Sequence, residues 1–383
     1  MTSVATITGE GRRWVRRAAP AVLGGWVAAR VLVLVSFVVA HFLAPHTRLP
    51  EGRLHLREGL LTWDGTFYRL ISEQGYAHSP HDVVRFFPLY PLLGRWLGWV
   101  FGGEPGIALV ILGNGGALAA AFLMWRIVDE HFGDRQMADR STVLLSLFPA
   151  AMCLVFAYAE GLFLVCVLVS IRAVTQRRPL AAAPWLIAAS LLRPTGVVLV
   201  VPVVVAWWVD RGARRSGTES PSDLWRWSIA AAAPVAGLAI YLGWLQATLG
   251  MGTAPLSIQS KLRAGFHEPI SRLVRAMVQI LSGEFRDVYN LIFIVAMVTL
   301  VVVAIRRRVP AEWTAYLVVG LVIAAAANNV DSVGRYGIVL APAWVVALAM
   351  ITTERRDRLI VLTVSSLGFV WLTTAALLGL VIP

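Results

Sequence analysis

"AAPAVLGGWVAARVLVLVSFVVAHFL" runs from Ala18 to Leu43 and carries one arginine, Arg30. A helix crosses the hydrocarbon core of a bilayer with about 20 apolar residues, and this run has them. Ile107–Val128, Trp227–Leu249, Leu291–Ile305 and Leu359–Ile382 repeat the pattern. A soluble chain of 383 residues would divide into two or three domains. A chain that is 58% hydrophobic and 15% charged reads instead as an all-α polytopic membrane protein, with residues 1–383 forming one transmembrane domain.

The net charge of +12 would suit nucleic acid if it formed a patch. It is parcelled out instead. Arg12-Arg13 with Arg16-Arg17, Arg177-Arg178, Arg211 with Arg214-Arg215, Arg306-Arg307-Arg308, and Arg355-Arg356 with Arg358 each sit between apolar runs. Cytoplasmic loops of membrane proteins carry this excess, so no nucleic-acid partner is implied. Cys153 and Cys166 lie inside apolar runs, form no spaced framework, and read as small buried hydrophobes. The basic start and apolar stretch resemble a signal peptide. The stretch is too long for one and lacks a clean cleavage site, so it reads as a retained first span.

The basic clusters fix sidedness. With the N-terminus cytoplasmic, span 1 (19–43) leads outward and residues 44–104 form an outer loop. Spans 2 (105–127), 3 (141–158) and 4 (160–176) follow. Residues 179–210 begin and end on the basic side, so they must turn, and "LLRPTG" (Leu191 to Gly196) is the only turn in their middle. Two short helices meeting at Arg193-Pro194 are expected, a break tolerated where it lines a cavity. Span 7 (224–247), a second outer loop (250–287) and spans 8 (288–305), 9 (311–329), 10 (336–352) and 11 (359–381) complete about eleven crossings. "FFPLYPLLGRWLGWVF" (Phe86 to Phe101) carries prolines and Arg95 and suits a helix lying at the interface.

The least oily segment is "LTWDGTFYRLISEQGYAHSPHDVVRFFPLYPLL", Leu61 to Leu93. Asp64 to Gln74 suits a helix stopped by Gly75. Trp63, Phe67, Leu70 and Ile71 fall near one face, and Trp and Tyr prefer the headgroup level. The helix would therefore lie on the outer leaflet with the Asp64 carboxylate beside the membrane. One reading makes Asp64 a helix cap, its commonest use at such a start; the other makes it catalytic. Glu160 lies between spans 3 and 4. Arg193 lies at the hairpin tip, Gln259, Lys261 and Arg263 after span 7, and Asp331, Arg335 and Tyr336 between spans 9 and 10. Ionisable groups at membrane depth cost roughly 2.5–3.5 kcal/mol on insertion scales, so they have a partner or a task. Singly, Arg263 and Asp331 read as snorkelling or paired residues, and Arg30 as structural or snorkelling. Together, groups from four loops on one side are most economically read as one outward-facing polar cavity.

Arginine suits phosphate, and a carboxylate can take a proton from an attacking hydroxyl. The combination suits transfer from a lipid-linked phosphate donor to a hydroxyl, with arginines stabilising the departing phosphate. No dinucleotide fingerprint, P-loop, zincin motif or serine elbow is present.

"WDGTFYRLISEQGY…RFFPLYPLL", "FAYAEGLF", "LLRPTG" and "SVGRYGIVLAP", in this order, resemble the bacterial branch of the PIG-V family. Its eukaryotic members are GPI mannosyltransferase II, in the GT-C superfamily. The resemblance runs from span 1 to about Pro342. It implies a GT-C-like bundle that moves mannose from a polyprenyl-phosphate donor on the outer face, with inversion. It makes Trp63-Asp64 the family's W-D, with Asp64 catalytic, and matches Tyr158 and Glu160, Arg193, Arg335 and Tyr336, and Gln259. Where the family often has Trp after that Gln, this chain has Leu262. On this reading Arg193 and Arg335 bind the donor phosphate, and Trp63, Tyr90 and Tyr336 stack on sugar or isoprenoid.

The resemblance thus implies two partners besides membrane lipids, a polyprenyl-phosphate sugar and a lipid or glycolipid acceptor, at a bacterial plasma membrane. The same fold also serves glucose, arabinose and protein acceptors. A transporter or flippase for a lipid-linked sugar would need no base. It often shows internal repeats with broken helices in corresponding halves, whereas here the break occurs once. A scaffold subunit would need no polar cluster. No cofactor is required. Asp64, Glu73 and Glu160 are the ready hard ligands were a divalent metal used.

Overall fold

The structure, a computed structural model, describes residues 4–46, 54–213, 221–262, 288–326 and 333–382. It is an all-α polytopic membrane protein. Among the described residues, six helices are long and apolar enough to cross a membrane. They lie in α1 (Val4–Leu43), α4 (Pro105–Phe132), α8 (Val200–Ala213, with the 3-10 turn Pro194–Leu199 before it), α9 (Pro221–Leu249), α11 (Val288–Arg306) and α15 (Arg355–Leu377). Two shorter apolar helices, α7 (Pro179–Leu192) and α12 (Ala311–Ala325), accompany them. The remaining helices are α2 (Asp64–Gln74), α3 (Leu89–Gly98), α5 (Arg135–Ser146), α6 (Glu160–Thr175), α10 (Ala254–Leu262), α13 (Val333–Ile338) and α14 (Ala343–Ile351).

Local chemistry sets these boundaries. Pro105 and Pro179 open α4 and α7 at positions whose N–H needs no partner. Gly133 closes α4 at φ 65°, a conformation that glycine adopts without penalty. Asp134 caps α5, its side chain accepting from the Met137 N–H at 2.9 Å. The residue before proline avoids helical dihedrals, and Arg193, at φ −153° and ψ 144°, breaks α7 from the following turn where the sequence places the break.

Two expected spans are not continuous helices. Span 3 (141–158) is helical only to Ser146. The chain then runs through Pro149 and a 3-10 turn, Ala151–Leu154, before α6. Span 10 (336–352) is divided into α13 and α14 on either side of Pro342. Proline lacks the donor that a helix interior needs, and both breaks are buried in protein, the setting that irregular backbone requires at membrane depth. The 3-10 segment is held from two helices. Arg30 forks onto Asn114 Oδ1 (2.9 and 2.7 Å) and onto Leu154 O (3.0 Å), while Asn114 Nδ2 donates to Val155 O (2.8 Å). Arg30 therefore points into the bundle and does not snorkel.

Glycines allow the closest packing. An added Cβ on Gly161 of α6 would stand 2.4 Å from Gly113 O and 2.8 Å from Ala117 N of α4, so the two backbones touch. One on Gly196 would stand 2.5 Å from Ser190 N, so the turn after Arg193 folds onto the end of α7. The helix α3 rests on α4, and Trp96 of α3 with Trp99 and Val100 of the 3-10 turn after it face outward. The turns at Arg177-Arg178 and Arg306–Arg308 lie at the ends of α6 and α11 remote from Glu160 and from α13.

Candidate active site

The sequence element Asp64–Gln74 is a helix with those bounds, closed by Gly75 at φ 74°. Asp64 is not its cap. Trp63 holds the cap position with no side-chain cap bond, and Asp64, the first helical residue, turns its carboxylate to another part of the chain. Asp64 Oδ2 accepts from Arg335 Nη1 at 2.7 Å. Trp63 sets the approach of this carboxylate. It adopts φ 55°, a region that a non-glycine residue keeps when its surroundings over-determine it. Here its indole N–H donates to Ala376 O at 3.0 Å, and the His55 ring lies 4.1 Å from its own. Backbone bonds from His55 N to Leu377 O and from Ala157 N to Leu60 O tie this loop to α15 and to the buried stretch that leads into α6.

Glu160 opens α6 and is 1% exposed. An ionised carboxylate so placed needs partners, and it has two. Arg193 Nη1 donates to Glu160 Oε1, and Arg335 Nε lies 3.2 Å from the same oxygen. Arg193 reaches it because Pro194 ends α7 and Gly196 folds the chain back. Four residues expected from four loops, Asp64, Glu160, Arg193 and Arg335, thus form one chain of ion pairs, with two positive and two negative groups. Aromatic rings floor it. The Arg335 guanidinium lies 5.4 Å from the Tyr158 ring and 6.0 Å from that of Tyr336, and Arg193 lies 5.5 Å from Tyr336, within cation–π range.

Beside Tyr336 a cleft opens between the 3-10 turn after Arg193 and α12, lined by Thr195, Val198, Tyr316, Ile323, Tyr336 and Leu340. Apart from one hydroxyl and two phenols, those side chains are apolar.

Other expected site residues lie apart from the cluster. Tyr90 is fully buried and donates to Leu109 O at 2.7 Å, which leaves its ring edge-on to Tyr68 at 4.9 Å. Gln259 and Lys261 sit on α10, which packs on the 3-10 turn His81–Arg85. Glu73 pairs with Arg69 at 2.7 Å on the exposed side of α2. Arg263, Asp331 and most of the 250–287 loop lie outside the described residues. Among the described residues, no group of three His, Cys, Asp or Glu side chains gathers to hold a metal.

Sequence reading missed Tyr68. It stands four residues after Asp64, hence on the same face of α2, and that spacing was the available signal. Burial pushes its phenol well above the ordinary range, and the Glu160 and Asp64 carboxylates push the same way, so it remains a neutral O–H donor beside the ion pairs.

Comparison with solved structures finds partial likeness to the oligosaccharyltransferase of Archaeoglobus fulgidus. The form with Zn and sulfate is 13% identical, with a TM-score of 0.45 over 90% of this chain and 52% of that one. The apo form is 12% identical, with a TM-score of 0.46 over 91% and 56%. The complex of AglB from that organism with an inhibitory peptide and a dolichol-phosphate is 12% identical, with a TM-score of 0.42 over the same shares. This chain spans about half the length of each. At that overlap they assign neither a residue nor a reaction here. No family model and no curated protein matches the sequence.

Proposed function

We propose that this chain is a membrane glycosyltransferase that moves a mannosyl residue from a polyprenyl-phosphate donor to a hydroxyl of a lipid or glycolipid acceptor, with inversion, at the outer face of a bacterial plasma membrane. The observation that carries the reading is the Asp64–Arg335–Glu160–Arg193 cluster set against an apolar cleft. Two guanidinium groups suit the fixed geometry of a phosphate ester. The apolar side chains beside Tyr336, Val198, Ile323 and Leu340, are of the kind an isoprenoid would lie against. A partly exposed carboxylate at the rim suits the acceptor hydroxyl.

In the proposed reaction Asp64 accepts the proton of the acceptor O–H as that oxygen attacks the anomeric carbon. The bond from that carbon to the phosphate oxygen breaks. The electron pair leaves with the polyprenyl phosphate, whose added negative charge Arg193 and Arg335 stabilise. Attack opposite the leaving group inverts the anomeric centre. Glu160 holds the two arginines in position, and Tyr68 and Tyr336 complete the wall. The placement of the basic turns at the other helix ends supports an outward-facing site.

The test is transfer by purified protein in lipid. Radiolabelled polyprenyl-phosphate mannose is offered with a host lipid extract to native protein and to Asp64→Ala of equal thermal stability. Transfer by the native protein and none by the variant is the expected result. The glucosyl donor in parallel tests the sugar. Donor binding by both proteins with transfer by neither would replace the enzyme by a transporter or scaffold for a lipid-linked sugar.

A further inference from the structure

The four charged side chains of the site neutralise one another, and that has a consequence for any anion that enters. A phosphate ester reaching Arg193 and Arg335 does not meet free cations. It meets guanidinium N–H groups already engaged by carboxylate oxygens, at 2.7 Å in the case of Arg335 and Asp64. Carboxylate and phosphate oxygens make the same kind of charge-assisted bond to these donors, so they compete for them.

The two carboxylates are not equally placed to give way. Glu160 is held by both arginines, its side chain is 1% exposed, and the next residue, Gly161, is locked against the α4 backbone. Asp64 has one arginine partner and a side chain 23% exposed, and it sits at the first position of a short helix. An Asp64 side chain that leaves Arg335 turns toward water, whereas a displaced Glu160 would remain buried and unpaired.

We infer that the Asp64–Arg335 ion pair is the closed state of the anion site, and that an anionic lipid headgroup opens it by taking Arg335 from Asp64 while Glu160 stays in place. The inference rests on the proposed reading of the two arginines as the phosphate site. It adds an order of events. The carboxylate that serves as base is engaged until the phosphate arrives, so the donor binds first and its binding frees the base for the acceptor. It also turns the usual expectation for a site variant around. Removing the Asp64 charge removes a competitor, so the variant that loses transfer binds the donor phosphate more tightly.

The experiment uses the full chain in nanodiscs and farnesyl phosphate as the probe, with farnesol as its uncharged counterpart. Titrations compare native protein, Asp64→Asn and Arg335→Gln, each checked for native thermal melting. Asp64→Asn is expected to bind farnesyl phosphate on the order of tenfold more tightly than native protein, within the usual range for coupled sites. Arg335→Gln is expected to lose that binding, and farnesol is expected not to distinguish native protein from Asp64→Asn. A second measurement needs no variant: carbodiimide labelling of Asp64 in native protein should rise when farnesyl phosphate is added, with Glu160 unlabelled throughout. Equal or weaker binding by a folded Asp64→Asn, or Asp64 labelling that stays level or falls, overturns the inference while leaving the phosphate site intact. Failure of native protein and Asp64→Asn alike to bind the probe overturns the phosphate site as well.

Discussion

Replacing Gly161 by alanine tests the packing that places Glu160. The added Cβ would lie 2.4 Å from Gly113 O, 2.8 Å from Ala117 N and 3.3 Å from Gly116 C, where ordinary contact begins at 3.4 Å. All three neighbours are backbone atoms of α4, so no side chain can swing aside. Relief requires α6 to retreat from α4 by about 1 Å, and overpacking of this kind costs about 1–3 kcal/mol. Because Glu160 is the adjacent residue and fixes both arginines, the same retreat shifts the whole ion-pair chain. A 1 Å misplacement in a reacting site costs on the order of 100-fold in rate. Gly115→Ala is the control. It lies one residue from Gly116 on α4, with no atom within 4 Å of its added Cβ, and alanine there improves helix propensity by about 1 kcal/mol. Thermal melting in detergent and the proposed mannosyl transfer are the two readouts. A Gly161→Ala protein that melts and transfers like the native one would refute backbone contact between α4 and α6.

Arg30→Leu leaves Asn114 Oδ1 and Leu154 O without their donors and is expected to destabilise by at least about 2 kcal/mol. Arg30→Lys should fall between, since an ammonium cannot span both acceptors as a guanidinium does; thermal melts of the three proteins measure this. Tyr90→Phe loses one buried hydrogen bond, worth about 1 kcal/mol, and is expected to keep transfer, because the Tyr90 ring lies in the core beneath α2. Tyr68 carries a phenol raised above its usual value of 10.0. The raised value keeps it protonated as pH climbs, so it contributes no alkaline limb to transfer below pH 10, and Tyr68→Phe should leave the shape of the pH–rate profile unchanged.

How much of this was legible beforehand differs by residue. The helix Asp64–Gln74 and the break at Arg193-Pro194 were readable because glycine and proline act on the backbone locally, whatever surrounds them. The gathering of Asp64, Glu160, Arg193 and Arg335 was readable because charged groups are rare in such a chain and topology put all four at the same helix ends. The interruption of spans 3 and 10 was readable only in part. Pro149 and Pro342 were the available signals, but in "SLFPAAMCLVFAYA" (Ser146 to Ala159) hydropathy is high throughout, and the Arg30–Asn114 node that meets the freed Leu154 and Val155 carbonyls is built from residues far off in sequence. Asp64 as a cap was a sound local expectation, defeated by a partner beyond any local pattern. Tyr90 reads in the sequence as a ring for sugar or isoprenoid, and only the packing of α3 on α4 shows that it is buried with its hydroxyl donating to Leu109 O.

Asp64 and Arg335 are separated by 271 positions, and Trp63 is tied to Ala376 over 313. At translation rates of about 5–20 residues per second, Asp64 waits on the order of 15–50 s after its own synthesis before Arg335 exists to meet it. Until α13 and α15 have been inserted, Trp63 lacks its anchor and Asp64 lacks its partner. The first loop is made early and armed late, so a chain whose synthesis stalls partway carries the residue expected to do the chemistry but not the site in which to do it.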